Sequence, residues 1–467
     1  MKKNKFEEIK VYSEGSGVVT LIEPNLSVGL NKFGLYEESI ANDETFNLND
    51  KVESLLTFTN INCNEKSIAE ELFNSDVSSS YDERIGYYRS LYVGHVAEGE
   101  YRKNASSGGV GTWILKELLE SGEVDGVIHV KENPDKNSAI LFKYQISSSI
   151  DEVLAGAKTK YYPVELSEVL RLVKEENGRF AVVGIPSFIK AIRLLCKQDK
   201  IFSERIAFTI GLICGHQKSS KFADFMAWQV GIKPGDLKSI DFRHKLDNSP
   251  ADKYAIRMVG FVDGELKTII KPKDDLLGQN WGLGYFKPVA SDYTDDVFNE
   301  TADLVIGDAW LREYADDPLG NNVVIVRNDT IDKLITNAIL KSKLHFKKSD
   351  VEEVFSSQAA HYRHTYNELP YRLFKLKKKN HFLPALRVKP SNEIGYTRSL
   401  VQDMRQIISK RSHEYFLEAV KRDDLEYFTR KMSRLDRLYN IVYIMMAVKN
   451  KGFIGLLKLL IGRVTKR

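Results

Sequence analysis

The clearest local signal for a ligand site is a loop of two hydroxyl residues and three glycines directly before a predicted helix. The loop runs from Ser106 to Gly111 (SSGGVG), and the apolar periodicity that follows predicts a helix over Thr112–Glu120. At such a junction backbone N–H groups and the helix dipole can face an anion, and glycine lets a phosphate or a planar ring approach closely. The loop matches neither the Gly-Lys-Ser phosphate loop nor the dinucleotide fingerprint, so a serine-capped helix with a glycine turn is the alternative interpretation.

Four further segments place polar groups where a ligand could bind. Lys158–Tyr162 (KTKYY) sets two cations beside two aromatic rings, which suits a phosphate and a stacked ring but also a solvated surface strand. Gly184–Ser187, Gly211–His216 and Gly307–Trp310 each follow a predicted central strand. Because ligands of α/β proteins bind at the carboxyl ends of such strands, we expect these three loops to border one cleft.

Two residue pairs could carry nucleophile or metal chemistry, and we expect neither to do so. Cys214 and His216 would share a face of an extended chain, but no orienting carboxylate stands near them in the sequence. His361 and His364 lie three residues apart on a predicted helix, but no Glu or Cys completes a ligand set. Packing or surface histidines are the favoured interpretation of the second pair.

The elements that position these loops alternate between strand and helix, which predicts an α/β fold with a central mixed sheet flanked by helices. A hairpin with its turn at Asp263–Gly264 is predicted as an insertion, and the pattern from Val351 onward is mainly helical. Val18–Glu23 (VVTLIE) also has the composition of a strand. Tyr88–Gly94 is predicted as a strand and Val124–Val130 as a buried strand. The predicted central strands are Arg179–Gly184, Ile206–Ile213 and Leu304–Ile306.

Length and composition exclude several classes of protein. A chain of 467 residues with 43% hydrophobic and 28% charged residues is neither disordered nor fibrous. Three cysteines at irregular spacing, Cys63, Cys196 and Cys214, cannot form a disulfide framework or a four-thiolate metal site. The charged segment Met1–Lys10 lacks the apolar stretch of a secretory signal, so we expect a cytoplasmic location.

Charge is unevenly distributed along the chain. Residues from Tyr371 onward carry 23 Lys+Arg against 8 Asp+Glu, whereas the remainder carries 45 against 56. A basic tail on an acidic body suggests an anionic partner. No stacking motif or recognition helix accompanies the charge, so we expect no nucleic-acid partner.

This basic tail contains two apolar runs, Leu438–Val448 and Phe453–Ile461, which basic residues interrupt and flank. Each run is about half of the roughly 20 residues needed to span a bilayer. One prediction is therefore a basic amphipathic segment that lies in a membrane interface, at the inner face of the membrane. The alternative is a helix pair that packs on the protein's own core or on a second copy of the chain in a homo-oligomer.

Taken together and in this order, the segments resemble the family of coenzyme F420 hydrogenase/dehydrogenase beta subunits. The resemblance runs from about residue 15 to about residue 350. It implies an FAD-binding oxidoreductase that passes electrons between a hydride donor or acceptor and iron–sulfur clusters. The segments that carry it are Arg84–Tyr88 (RIGYY), Ala105–Trp113, Ala157–Tyr161, Val183–Ser187, Gly211–His216 and Ala302–Trp310.

The same resemblance implies three parts of the chain and a set of site residues. Residues 1–80 correspond to a degenerate ferredoxin-like module, 81–350 to a flavin-binding α/β domain, and 351–467 to a helical basic region. The implied catalytic residues are Lys160, which would stabilise negative charge developing at the flavin, and Asp308, which would hold a ring or ribose group. The implied cofactor-binding residues are Ser106, Ser107, Gly108, Gly109, Val110, Lys158, Lys160, Gly184, Pro186 and Asp308.

The sequence departs from the family at the positions of its cluster cysteines. Ser187, Ser291 and Thr294 stand where the family has cysteine, and Cys214 is retained. The counterpart of an amino-terminal ferredoxin-like cysteine array holds only Cys63. Because hydroxyls are poor ligands for cluster iron, we predict that the chain binds no iron–sulfur cluster and no other metal.

Two functions of different classes follow from this pattern. The first is an FAD-dependent oxidoreductase without a cluster, which transfers hydride to or from a small-molecule substrate. The basic helical tail resembles that of bacterial members linked to surface-polysaccharide genes, which implies a role in surface-polysaccharide biosynthesis. The second is a redox-silent member that uses the cleft for a sugar nucleotide or a protein partner in polysaccharide assembly.

Overall fold

The predicted α/β class is confirmed by an eight-stranded mixed sheet with helices around it. The computed structural model describes residues 2–41, 46, 48–247 and 249–464, with side chains over 4–41, 46, 48–247, 249–446 and 448. The first elements along the chain are α1 (Lys2–Ile9), β1 (Leu26–Leu30), β2 (Tyr36–Ile40), α2 (Asp50–Leu55), α3 (Glu65–Phe73), β3 (Ser80–Asp82) and β4 (Gly86–Tyr88).

The amino-terminal elements do not have a core of their own. Phe6, Ile9 and Val52 belong to one buried cluster together with Leu166 and Leu195 of the α/β body. This apolar cluster therefore crosses the predicted boundary at residue 80. The ferredoxin-like character of residues 1–80 stays a prediction.

The segment Val18–Glu23 was expected to be a strand, and this expectation is wrong. Residues Val18–Leu21 form a short 3₁₀ helix. Gly17 has φ of 72°, a left-handed conformation that turns the chain just before them. The Thr20 hydroxyl donates to the Gly17 carbonyl oxygen at 2.8 Å, which closes the turn. Val18 and Val19 are buried there, so their apolar character reports burial and not strand pairing.

The central elements then follow in α/β order, with one inserted sheet. They are β5 (Ser90–Val96), α4 (Tyr101–Asn104), α5 (Val110–Glu120), β6 (Gly126–Glu132), β7 (Phe142–Ser147), α6 (Ile150–Ala155), α7 (Ser167–Glu175), β8 (Phe180–Gly184), α8 (Pro186–Gln198), α9 (Lys200–Arg205), β9 (Ile206–Leu212), α10 (Ser220–Trp228), β10 (Leu237–His244), β11 (Ala255–Val262), β12 (Glu265–Pro272), β13 (Leu304–Asp308), α11 (Arg312–Ala315), β14 (Asn322–Val326), α12 (Asp329–Leu340) and β15 (Leu344–Lys348).

The central sheet has the strand order β15-β5-β14-β13-β9-β8-β6-β7. The neighbouring strands β13, β9, β8 and β6 are parallel, whereas the remaining strands are added antiparallel at the two sides. Gly184 and Gly211 pair at the carboxyl ends of β8 and β9. The loops after β8, β9 and β13 therefore leave the sheet at one edge, where ligands of such sheets bind.

The inserted elements form a separate antiparallel sheet with the order β10-β11-β12. The predicted hairpin joins β11 to β12, and Val262 pairs with Glu265. Asp263 and Gly264 both have positive φ, 53° and 81°, which a two-residue turn between twisted strands requires.

The carboxyl-terminal region is helical, as predicted. Its elements are α13 (Val351–Tyr362), a π-helical turn (Arg363–Asn367), α14 (Leu369–Lys378), α15 (Tyr396–Arg422) and α16 (Leu425–Val464). Phe416 of α15 and Phe428 of α16 pack with Phe225 and Phe286 in one buried cluster. Both apolar runs of the tail lie in the single helix α16. Tyr439 of the first run is buried in this cluster, whereas the side chains of the second run, Phe453–Ile461, lie outside the described residues. Both expectations for this region therefore stay predictions. No helix in the described ranges is both long and apolar enough to cross a bilayer.

Candidate functional site

A cavity of about 750 Å³ opens where the carboxyl ends of β8, β9 and β13 meet the loops that the sequence indicated. Its volume lies within the roughly 300–1,000 Å³ typical of small-molecule and cofactor sites. Gly108, Val110 and Pro186 do not contribute to its wall, whereas most of the other predicted residues do. Those in the wall are Ser106, Ser107, Gly109, Lys158, Lys160, Gly184, Cys214 and Asp308.

The serines of the glycine-rich loop tie it to its neighbours. The Ser106 hydroxyl oxygen accepts a hydrogen bond from the Thr159 amide at 2.9 Å, which joins the loop to the KTKYY segment. The buried Ser107 hydroxyl donates to the Asn321 carbonyl oxygen at 2.8 Å. The two segments predicted to bind a cofactor therefore form one continuous part of the cavity wall.

The glycines of this loop are needed for packing. A Cβ atom on Gly108 would lie 2.7 Å from Asn322 Oδ1 and 2.8 Å from the Gly94 carbonyl oxygen. Gly109 has φ of 86° and immediately precedes α5. Val110, the first residue of α5, is fully buried. Gly108 and Val110 thus act on the cavity indirectly, because they place the start of α5 beside it.

The amino terminus of α5 borders the cavity. Gly111 and Thr112, in the first turn of this helix, both line the wall. The first N–H groups of a helix lack partners within the helix, and the dipole favours negative charge there. The Val110 amide reaches Asn322 Oδ1 at 3.4 Å, a long hydrogen bond. This part of the wall is suited to a phosphate or another anion.

The KTKYY segment is an irregular loop rather than the surface strand that was its alternative interpretation. Lys158 has φ of 75°, and its Nζ lies 2.6 Å from Asp241 Oδ2 of β10. The Lys160 ammonium donates to the carbonyl oxygens of Gly156, of Ala157 at 2.5 Å and of Lys158 at 2.8 Å. Lys160 therefore holds the end of α6 and the following loop in place.

Lys160 also has an altered proton affinity. Burial lowers the pKa of its ammonium to about 7, although the carboxylates of Asp241 and Glu132 act in the opposite direction. An amine with this pKa can hold or release a proton near neutral pH. The role predicted for Lys160, stabilising charge at a flavin, stays a prediction.

Asp308 pairs with an arginine that sequence reasoning did not find. The Asp308 Oδ2 atom lies 2.5 Å from Nη1 of Arg243, which belongs to β10 of the inserted sheet and is 3% exposed. The guanidinium also lies 5.2 Å from the ring centre of Tyr254 and 5.5 Å from that of Trp310. Its Nε is buried without a hydrogen-bond partner among the described residues. Burial opposes ionisation, but the Asp308 carboxylate keeps the pKa of Arg243 above its ordinary value.

Further along the wall, Lys218 is buried and His216 is half-buried, in aromatic and cationic surroundings. The Lys218 Nζ lies 4.6 Å from the ring centre of Trp281 and donates to the Tyr285 carbonyl oxygen at 2.6 Å. Burial lowers the pKa of both His216 and Lys218 well below their ordinary values. In the part of the chain that the structure describes, Nε2 of His216 has no hydrogen-bond partner. This region can therefore offer a neutral imidazole to a ligand.

Both residue pairs set aside in the sequence are half-buried, and their lack of nucleophilic or metal chemistry stays a prediction. Burial raises the pKa of Cys214 to about 12, so this residue is a thiol near neutral pH. His361 lines the cavity with Nδ1 3.2 Å from Gln358 Oε1. His364 lies on the π-helical turn and receives a hydrogen bond from Arg405 at 3.2 Å. The packing interpretation fits both histidines.

A second region, which we call the cluster corner, consists of Glu14 and two of the vacated cysteine positions, Ser187 and Ser291. The third vacated position, Thr294, is half-buried. The Glu14 carboxyl group accepts hydrogen bonds from Ser187, at 2.5 Å, and from Ser291. Ser291 in turn accepts one from the Gln217 amide at 3.2 Å. Burial raises the pKa of Glu14, although the two serine hydroxyls lower it. Burial and then Glu14 raise the pKa of Cys214, so the retained cysteine lies within electrostatic reach of this carboxyl.

The residues of the cluster corner do not fit an iron–sulfur cluster. Ser187 and Ser291, at two former ligand positions, are both hydrogen-bonded to the Glu14 carboxyl group. Cluster iron is bound by thiolates, which these residues cannot supply. The free space beside Glu14 and Ser187 is about 10 Å³, room for about one water molecule. Over the described ranges, no group of three or more His, Cys, Asp and Glu side chains could hold a metal ion. Sequence reasoning missed Glu14, because its segment carries no recognisable motif.

Fold and cavity together define a class of protein: an α/β protein whose ligand pocket lies at the carboxyl ends of parallel strands and beside a helix amino terminus. Two family models match the chain. The model of the coenzyme F420 hydrogenase/dehydrogenase beta subunit N-terminus matches residues 91–171, and that of the C-terminus matches residues 177–352. The chain belongs to the family of coenzyme F420 hydrogenase/dehydrogenase beta subunits, a family of redox proteins, and the resemblance seen in the sequence is confirmed.

Individual relatives match over shorter stretches. The chain is 30% identical over 118 residues to one of the subunits of the F(420)H(2) dehydrogenase of Methanosarcina mazei, which covers 25% of this chain and 32% of that protein. It is 27% identical over 198 residues to the coenzyme F420-dependent sulfite reductase of Methanocaldococcus jannaschii, covering 39% and 28%. The matched stretches thus span about a third of these relatives. A chain of the F420-reducing [NiFe] hydrogenase complex from Methanosarcina barkeri matches with a TM-score of 0.47 at 15% identity, covering 64% of this chain and 96% of that one.

Proposed function

We propose that this protein is an FAD-dependent oxidoreductase that transfers hydride to or from a small molecule and has no iron–sulfur cluster. The observation that carries the proposal is the cavity of about 750 Å³ behind the glycine-rich loop. Much of its wall is apolar, as a planar ring system requires, with a few polar groups set into it. The apolar residues include Leu115, Val130, Ile210, Leu212 and Ile306.

The residues of the wall fit such a cofactor. Gly111 and Thr112 at the start of α5 would hold the phosphate groups of the cofactor. Gly109 has no side chain, so a phosphate group can approach the backbone closely there. The unpartnered Nε of Arg243 is a buried donor that lacks an acceptor among the described residues, as expected for a group that meets a ligand. When bound, a flavin supplies hydride chemistry, which none of the twenty side chains provides.

The chain's own residues would orient the reactants and manage a proton. Lys160 holds a proton at Nζ with a pKa of about 7, next to the loop that it positions. The rings of Tyr161 and Trp281, with centres 4.6 Å apart, cover part of the wall and exclude water. Asp308 keeps the Arg243 guanidinium fixed through their 2.5 Å contact.

The relatives add support at the level of reaction type. Both relatives are named for coenzyme F420. The proposal takes from them the exchange of hydride with a small molecule. A role in surface-polysaccharide biosynthesis is part of the proposal and is supported by the resemblance of the basic helical tail to that of bacterial members. A cytoplasmic location is also part of the proposal.

The absorption spectrum of the purified protein tests the proposal. Oxidised flavin makes a protein yellow, and heat denaturation followed by chromatography identifies the released cofactor as FAD. We expect about one FAD for each chain, with bleaching on addition of a chemical hydride donor such as borohydride. A colourless protein that gains no flavin when incubated with excess FAD would contradict the proposal.

A second candidate function has one observation in its favour. The helix amino terminus at Gly111 and Thr112 would suit the diphosphate of a sugar nucleotide as well as that of a flavin. A redox-silent protein that binds such a nucleotide for polysaccharide assembly is therefore the alternative. Calorimetric titration of the flavin-free protein with UDP-glucose separates the two, since binding there and failure to take up FAD would favour the alternative.

A further inference from the structure

One face of α16 is exposed and changes from basic to apolar along its length. Its basic part consists of Arg430, Arg434 and Arg437, all exposed. The apolar residues that follow are between 39% and 52% exposed, although they are large. At 3.6 residues per turn, these positions fall within roughly 120° of the helix circumference. We call this whole face, arginines included, the α16 outer face. Its apolar residues are Leu438, Ile441, Ile444, Met445 and Val448.

Over the described side chains, the opposite face of the same helix packs on the protein's own core. Phe428, Met432 and Tyr439 are buried in the core shared with α15. Asp436 is the one acidic residue in the sequence between positions 430 and 448, and it receives a hydrogen bond from the Tyr285 hydroxyl at 2.8 Å. The acidic group is therefore turned inward, and between positions 430 and 448 the outer face combines cations with apolar side chains and no carboxylate. The exposed Glu426 lies on the same side of the helix, one turn before Arg430.

These features together identify the chemistry of the partner. The arginines are stabilised by contact with anions, and the apolar side chains are stabilised by burial away from water. An anionic lipid surface provides both interactions at once. The described helix cannot cross the bilayer, so contact would be made within the interface. The sequence continues the pattern, since Lys449, Lys451 and Lys458 are interspersed with apolar residues after Val448. A second copy of this chain would offer its own arginines and would leave the positive charge of both uncompensated.

We propose that the α16 outer face docks the protein on an anionic lipid surface, with α16 lying in the plane of the interface. This proposal does not rest on the proposed flavin chemistry, because none of its residues lines the cavity. Docking would place the protein, with its cavity, at the surface of a membrane.

Cosedimentation with vesicles tests the docking. The full chain is mixed with vesicles of phosphatidylglycerol and phosphatidylcholine, or of phosphatidylcholine alone, at low and high salt. We expect binding to the anionic vesicles that weakens with salt. The double variant Ile441→Glu/Met445→Glu should bind at least tenfold more weakly. Each replacement of an exposed arginine by glutamine should weaken vesicle binding roughly fivefold. The three substitutions are Arg430→Gln, Arg434→Gln and Arg437→Gln.

A matched control separates docking from general stickiness. Leu266 is a 60% exposed residue of β12, an element other than α16, and Leu266→Glu should leave vesicle binding unchanged. All variants should keep the helical circular dichroism and the cofactor content of the unmodified chain. Absence of binding to anionic vesicles, or undiminished binding by the double variant, would overturn the proposal. A concentration-dependent dimer that the double variant abolishes would overturn it as well, and would assign the face to a second copy.

Discussion

The cavity and the cluster corner lie on the same sheet edge and have opposite character. The cavity is wide, and buried polar atoms such as Nε of Arg243 and Nε2 of His216 lack partners there among the described residues. In the cluster corner, by contrast, the Glu14 carboxyl accepts from both Ser187 and Ser291, and the free space is about that of one water molecule. Unsatisfied buried groups cost free energy unless a ligand satisfies them.

This difference teaches how one family member can keep one site and close another. The cavity has buried polar atoms without hydrogen-bond partners among the described residues, and a ligand could satisfy them. In the cluster corner, the hydroxyls of Ser187 and Ser291 donate to the Glu14 carboxyl group, so they have partners within the protein. Under the proposed function, the protein would exchange hydride with a small molecule and would pass no electrons to a cluster at this corner.

The largest effect is expected from removing the serines of the cluster corner. Ser187→Ala/Ser291→Ala leaves the buried Glu14 carboxyl without its two donors and should lower the free energy of unfolding by about 3 kcal/mol. Adding Glu14→Met should restore most of this loss, since replacing all partners by apolar groups removes the unpaired carboxyl. Urea unfolding of the three proteins measures the cycle. Equal stability of the double variant and the unmodified chain would show that this contact does not hold the corner together.

The next effect concerns the cavity. A Cβ atom on Gly111 would lie 4.0 Å from Ile306, an ordinary contact, so Gly111→Ala should fold and retain FAD. Gly111→Phe projects a ring from the wall of the cavity and should lower FAD affinity at least tenfold, about 1.4 kcal/mol. Fluorescence titration of the flavin-free proteins measures the difference, and thermal unfolding checks the fold. Unaltered FAD binding by a folded Gly111→Phe protein would place the cofactor elsewhere.

The smallest effect is the pH dependence that Glu14 confers. Its pKa is raised in the folded state, chiefly by burial, so the folded protein binds its proton more tightly than the unfolded chain does. Stability should therefore fall as pH rises from the ordinary glutamate range through the folded pKa, by at most about 1.4 kcal/mol per pH unit. Glu14→Gln should remove this slope. The same slope in both proteins, measured by urea unfolding between pH 4 and pH 8, would assign it to other groups.

The sequence predicted the parts of the site that have local signals. The glycine-rich loop before α5 and the loops after β8, β9 and β13 carry glycine, hydroxyl or charged residues at strand ends, and the parallel strands bring them together. The position of Asp308 after a predicted central strand indicates the cleft, whereas the assignment of Lys160 to the site depends on the resemblance to the family.

Other parts could not be predicted, because they depend on contacts between distant segments. Arg243 is one polar residue of an alternating strand, and its meeting with Asp308 depends on how the inserted sheet folds back. Glu14 lies in an irregular segment 173 residues from Ser187 in sequence. Val18–Leu21 was misread because its apolar residues reflect burial in a 3₁₀ helix and strand composition cannot distinguish the two.

The most direct test of the account is a joint determination of flavin and iron in the full chain after anaerobic purification. Flavin is measured by absorption after release, and iron together with acid-labile sulfide by colorimetric analysis. The account predicts about one FAD and less than about 0.1 iron for each chain. Stoichiometric iron with sulfide, or a chain that takes up no flavin under these conditions, would contradict it.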